Sequence, residues 1–350
     1  MKKMLCVFIS MIMLLSMVEV INASEELNRL NVKNTEFLIN QYSPNKEIEY
    51  SIKENITLRS LIDEEECYTL YRLEPAGYAI FYNETNAFME AVYEDVEWLH
   101  ILEVNERFYY SGPGNYFYES DGKYHSVISG ECLSIEDIEV LSRSEHMVRE
   151  KSRSVIQQDA SRVSPIELRS VVVQEDYFES LTEYAENVDG TCTVIAACIL
   201  LGYYDVFVND DFVLDNHRDG SGTNEEFHDY LCSRIYGSNT WGGIFIRDIL
   251  EGVHVYLERN GLGNMLYSVY SSPSNANAKI KEYLNAGKPV MASMATVYSA
   301  PYNHTVVIYG MIYEYNNTSR PVTYYVQTGW HNTRLMSVSE SWIYECGYIR

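Results

Sequence analysis

The stretch that most restricts how this chain can fold is an uncharged apolar run, Val194 to Leu201. It continues as Gly202-Tyr203-Tyr204 and is introduced by Asp189-Gly190-Thr191-Cys192. The spacing predicts a turn at Asp189-Gly190 feeding a strongly apolar helix that needs cover from the rest of the chain. Cys192 falls on the first turn of that helix. The N–H groups and dipole at a helix start favour negative charge, so a thiol there is biased toward the nucleophilic thiolate. The plainer alternative is a small buried residue opening a core helix. Cys198, with apolar neighbours on both sides, reads as core.

With 350 residues, 46% hydrophobic and 22% charged, the chain is long enough for a folded protein of more than one domain. Met1-Lys2-Lys3, the apolar run Met4 to Leu15 and the small residue Ala23 form the pattern of a secretory signal peptide over 1–23. Secretion is therefore expected. The run is too short to span a bilayer and no later segment is long and apolar enough, so no stable membrane insertion is expected. A net charge of −24 argues against nucleic acid and anionic membrane surfaces as partners. Oligomeric state leaves no trace in the sequence. Neither the seven cysteines nor the eight histidines show metal-ligand spacing, so no metal and no cofactor are expected. The scattered cysteines do not form a disulfide framework either.

Along the chain, residues 24–148 read as a small α+β region. A short helix is expected near Asn34 to Gln41, and a hairpin from Cys67–Leu73 and Tyr78–Tyr82 around Pro75-Ala76-Gly77. Further short runs lie at Ala87 to Tyr93 and Arg107 to Tyr110. Between Ser142 and Val171, basic residues including Arg149, Arg153 and Arg169 concentrate among polar ones. Residues 149–175 therefore read as a linker and possible processing region. From 176 to 350 helices come first: the one at Cys192, then Glu225–Tyr236, Ile244–Asn260 and Ala276–Asn285. Strands follow at Pro289–Ala295, His304–Tyr313, Val322–Gln327 and Ile343–Ile349, which is an α+β layout.

His304 opens the strand Thr305-Val306-Val307-Ile308-Tyr309, held by a rigid element while its ring can still face a cleft. Alone it reads more often as a structural histidine. Paired with Cys192 it is the general base that takes the thiol proton and later protonates a leaving amine. Gln327, on the following strand, stands where a third polar group would orient the imidazole, with Asn332 as the fallback. The Cys192 backbone N–H is one oxyanion donor, and Asn187 is the candidate for the second.

Gly190-Thr191-Cys192, Ala196-Ala197, Leu200-Leu201-Gly202-Tyr203-Tyr204-Asp205, Gly287-Lys288-Pro289-Val290, Asn303-His304-Thr305-Val306-Val307 and Gly329-Trp330 together resemble the bacterial papain-like cysteine peptidases. The likeness runs from about Tyr177 to the C-terminus and is nearest to streptopain-like enzymes and double-glycine-leader peptidases. It implies a papain-like domain, a helical part plus antiparallel sheet, preceded by a small α+β prodomain. It also implies peptide-bond hydrolysis through a thioester on a peptide or protein substrate, by an enzyme made as a zymogen. Two positions depart from the pattern. Gln327 stands where streptopain-like enzymes carry Asn, and Glu186 stands where papain-like enzymes carry Gln. Two alternatives follow: a decayed site on a surviving fold that acts as a secreted binding module, or acyl transfer to an amine in place of hydrolysis.

Overall fold

The aromatic runs around Pro75-Ala76-Gly77 pair as an antiparallel hairpin, because each offers β-favouring residues on both sides of a turn. The computed structural model describes residues 32–350 apart from 104–106, 129, 160–167, 182–190, 220–221, 236–245, 271–272, 295–303, 315–316 and 330–334. The signal-peptide reading, Glu186, Asn187 and Asn332 lie outside the described residues.

Helix α1 covers 32–42. An antiparallel meander follows: β1 (Ser51–Leu58), β2 (Tyr68–Glu74), β3 (Tyr78–Tyr82) and β4 (Ala87–Val92). Strands β5 (Phe108–Tyr110), β6 (Tyr116–Ser120) and β7 (Lys123–Ser126) form a separate three-stranded sheet, and α2 spans Ile135–Asp159. Next come β8 (Leu168–Val172), α3 (Glu175–Ser180), α4 (Cys192–Phe207), a short ribbon of β9 (Arg218–Asp219) and β10 (Gly222–Thr223), α5 (Glu225–Ile235) and α6 (Ile246–Arg259). The chain closes with β11 (Tyr267–Tyr270), α7 (Pro273–Asn285), β12 (Val290–Met294), β13 (His304–Glu314), β14 (Asn317–Gln327), β15 (Leu335–Ser339) and β16 (Ile343–Ile349). The architecture is mixed α+β around antiparallel sheet. No described helix is long and apolar enough to cross a membrane.

One eleven-stranded sheet runs through both halves of the chain in the order β1-β2-β3-β4-β15-β14-β13-β12-β16-β11, with β8 alongside β13. The seam is the β4–β15 pair, where Ala91 faces Ser337 and Glu90 faces Val338. The region 24–148 therefore adds four strands to the sheet that carries His304.

The basic stretch is not simply a connector. Its first part continues α2, whose inner face is polar as well as apolar. Glu145 is fully buried and accepts hydrogen bonds from the Leu61 N–H at 3.2 Å and the Tyr68 hydroxyl at 3.0 Å. Arg149, one turn on, reaches Asp63 at 3.2 Å. A helix that buries Glu145 and Arg149 alongside Leu141 and Val148 has no clean apolar stripe, which is why composition hides it. At the far end of the stretch, β8 pairs with β13, with Gly310 opposite Val172.

Helix α4 is buried along all of Cys192–Tyr204 and packs across β13. Phe178 on α3 locks the two together, stacking on Tyr309 of β13 at 4.7 Å and on Tyr203 of α4 at 5.6 Å between ring centroids.

At the hairpin turn, Gly77 has φ +95°, and a Cβ there would sit 2.0 Å from the Val92 carbonyl oxygen on β4. Backbone cannot yield as a flexible side chain can. Gly77→Ala is expected to cost on the order of 3 kcal/mol or more, measured as a lower urea midpoint at unchanged slope.

Candidate functional site

The start of α4 and the start of β13 meet through one bond. The Thr193 and Thr305 hydroxyls are hydrogen-bonded at 2.9 Å across 112 residues of sequence, in a buried setting. Each threonine directly follows a reactive residue, Cys192 on the helix and His304 on the strand. The Cys192 Sγ lies 4.0 Å from Thr193 Oγ1, and the Thr305 N–H and hydroxyl are also within its reach. The bond thus ties the residue after Cys192 to the residue after His304. Cys192 is a free thiol, as are the other five described cysteines.

The electrostatics differ from the sequence expectation. Burial pushes the Cys192 thiol up, and the hydrogen bonds from Thr305 and Thr193 that favour a thiolate do not offset it. Burial likewise lowers His304 to about 4, against the opposing effect of the Thr328 carbonyl. Cys192 is 5% exposed and His304 7%. The helix start alone does not make a thiolate here, because desolvation outweighs a half-charge dipole. In this closed state both groups are neutral.

The imidazole is oriented by backbone. His304 Nε2 lies 2.6 Å from the Thr328 carbonyl oxygen, so Nε2 carries the proton and Nδ1 is the basic nitrogen. Gln327 takes a different place. Its register partner is Val307, three residues from His304, and side chains along a strand alternate between faces. Its amide donates to the Phe178 carbonyl at 3.2 Å and accepts from the Gly329 N–H at 2.9 Å. Those bonds bracket Thr328. Gln327 thus holds the turn that presents the carbonyl to the ring, while the ring itself meets Thr328.

Gly329 makes this turn possible. Its φ is +73°, and a Cβ would lie 2.7 Å from Ile195 Cγ2 on α4, so any side chain would push the turn off the helix. Sequence reasoning missed Thr193, Thr305 and Thr328. The only signal for the first two was that a threonine follows both the cysteine and the histidine. A backbone acceptor such as Thr328 leaves no signal in sequence.

Gln327→Ala would leave the Phe178 carbonyl and the Gly329 N–H without their partner. The expected stability loss is about 2–6 kcal/mol, at about 1–3 for each buried group, measured by chemical denaturation. If the site hydrolyses peptides, kcat falls about tenfold to a hundredfold with KM little changed, because the imidazole is misplaced and substrate binding is not.

A possible metal-binding grouping lies elsewhere. Ligand atoms of Asp63, Glu65 and Cys67 fall within 4.8 Å of one another. Asp63 is paired with Arg149, and burial pushes the Cys67 thiol up to about 11, so the grouping reads as an ion pair beside a neutral thiol.

No protein-family model matches the chain, and no curated protein matches it. Among solved structures, the chain is similar to a fragment of prointerpain A from Prevotella intermedia that carries a cysteine-to-alanine substitution. The identity is 13% and the TM-score 0.38, over 85% of this chain and 98% of that one. A likeness at that level settles neither fold nor activity, and the functional reading rests on the geometry at Cys192 and His304.

Proposed function

We propose that the protein is a cysteine peptidase, secreted and made as an inactive precursor, in which Cys192 is the nucleophile and His304 the general base and acid. The observation that carries this reading is the 2.9 Å Thr193–Thr305 bond, which joins the front of a buried helix to the front of a sheet strand at the residues that directly follow Cys192 and His304. The tautomer set by Thr328 supports it, since it leaves Nδ1 to accept the thiol proton. In the reaction, His304 Nδ1 takes the proton as Cys192 Sγ attacks the peptide carbonyl. The imidazolium then protonates the leaving amine, and water, deprotonated by the same ring, opens the thioester. Position at the start of α4 suits the Cys192 N–H to donate to the oxyanion, with Asn187 proposed as the second donor.

Burial of both groups supports the precursor part of the reading. A site in which thiol and imidazole are neutral and less than a tenth exposed is closed to a polypeptide substrate. The N-terminal meander, paired to β15 on the same sheet, is proposed as the restraint.

The test is covalent labelling. A peptidyl electrophile directed at thiols is expected to label Cys192 slowly in the intact chain and stoichiometrically after limited proteolysis between α2 and β8. Absence of labelling in both forms favours a non-catalytic binding protein on the same fold. Product analysis with an added amine separates hydrolysis from acyl transfer.

A further inference from the structure

Thr193 on α4 and Thr305 on β13 form a hydroxyl pair that packing alone does not require. Both are buried, at 1% and 3% exposure, where two apolar runs meet: α4 continues as Val194-Ile195-Ala196-Ala197 and β13 as Val306-Val307-Ile308. Two valines would fill the same space. A buried neutral hydrogen bond adds little net stability, and replacing both partners by apolar groups of the same shape is close to neutral.

Their position against the sulfur supplies the reason. Thr193 Oγ1 lies 2.9 Å from Thr305 Oγ1 and 4.0 Å from Cys192 Sγ. Two hydroxyls carry two protons, and the bond between them uses one. With Thr305 donating to Thr193, the second proton can be directed at the sulfur. A contact of 4.0 Å is loose, as suits a neutral thiol, which accepts weakly. Negative charge on the sulfur draws the donor in and strengthens the bond. The Thr305 N–H is a second donor within reach of the same atom. Glu345 on β16 lies along this face of the sheet, opposite Ser293, which is itself opposite Thr305. A carboxylate on that face disfavours a thiolate, whereas the hydroxyls favour one.

We propose that Thr193 donates its hydroxyl proton to the Cys192 sulfur once His304 has taken the thiol proton, and that Thr305 is the positioning residue that aims this hydroxyl through the bond between them. The inference deepens the peptidase reading and rests on Cys192 as its nucleophile. No covalent bond to either threonine forms or breaks. The thiol proton passes to His304 Nδ1, and the electron pair left on sulfur accepts the Thr193 O–H. The hold relaxes as that pair bonds to the substrate carbonyl carbon. In a site shut off from water, the charge on sulfur needs donors of this kind from the protein.

The test reads the thiolate directly in the full chain. Its ultraviolet absorbance is titrated against pH, with Cys192→Ala as the blank that separates Cys192 from the other thiols and the tyrosines. Thr193→Val is expected to raise the Cys192 midpoint by about one pH unit, the loss of one hydrogen bond to a charged group. In the processed enzyme it lowers kcat for peptide hydrolysis about tenfold at unchanged KM. Thr193→Ser is expected to behave as the parent in both. Thr305→Val, on a strand that suits valine, is expected to raise the midpoint less, because the N–H remains; it keeps the test decisive if Thr193→Val fails to fold. An unmoved midpoint in either valine variant, or the same rise in Thr193→Ser as in Thr193→Val, overturns the inference. Absence of peptide hydrolysis in the processed parent, with the midpoint still moved by Thr193→Val, overturns the peptidase reading and leaves the hold of the hydroxyl pair on the sulfur standing.

Discussion

Cys192→Ala and His304→Ala are each expected to lower peptide hydrolysis by about four orders of magnitude, with the double variant no worse than either single one. The reason is that nucleophile and base act as one unit: without the imidazole the buried thiol stays protonated, and without the sulfur the base has nothing to activate. The folds should survive. Removing one buried sulfur costs about 1 kcal/mol, and the packing of α4 on β13 rests on Phe178, Tyr203 and Tyr309, which neither substitution touches. His304→Ala removes the ring's bond to the Thr328 carbonyl, for about 1–3 kcal/mol. Thermal unfolding of each variant separates the two effects. Additive losses, or activity that persists in folded Cys192→Ala, would remove the Cys/His pair from the mechanism.

What could be read from the sequence follows from how local each signal is. The α4 helix and the strand at His304 were legible because long apolar runs leave little choice of element, and the hairpin at Gly77 because its turn residues sit between two β-favouring runs. Strand β15, Leu335–Ser339, was not predicted: alternating Ser with Met and Val in five residues is a weak pattern, and its partner β4 lies more than two hundred positions away. Helix α2 escaped for a different reason, since its buried Glu145 and Arg149 give the composition of a solvated connector. At the candidate site, Cys192 and His304 were singled out by residue type. The bond that orients the ring was not, because any residue can supply a carbonyl. Gln327 was singled out for its amide, yet its amide works on the backbone around Thr328.

Stability should rise as pH falls from about 8 toward about 5.5, and Glu90→Gln should remove about 2 kcal/mol of that rise. Glu90 is fully buried beside the β4–β15 seam and faces Tyr78 on β3, Tyr110 on β5 and Tyr116 on β6. Tyr78 donates to it at 3.0 Å and Tyr110 at 2.8 Å, and Tyr116 donates as well. No cation pairs with it among the described residues. Burial raises its carboxyl from 4.5 to about 7, more than the three hydroxyls lower it. Glu145, whose nearest cation is Arg149 at 3.9 Å, is raised to about 7 for the same first cause. A carboxyl whose folded value lies above its unfolded one contributes stability that is complete below about 4.5 and is lost as pH rises through about 7. His304 acts with the opposite sign. Its value falls from 6.5 to about 4, so its contribution is complete above 6.5 and is lost as pH falls through 4. Burial also lowers His217 and raises Glu175 and Asp205, so the raised carboxyls outnumber the lowered imidazoles and acidification stays stabilising down to about pH 5. Urea midpoints across this range, for the parent chain and Glu90→Gln, measure the slope; an unchanged slope in the variant would place the titration elsewhere. Both carboxyls belong to the N-terminal half, and Glu90 lies at its pairing with β15. Rising pH therefore loosens first the segment proposed to hold the site closed, and labelling of Cys192 in the intact chain should quicken over the same interval.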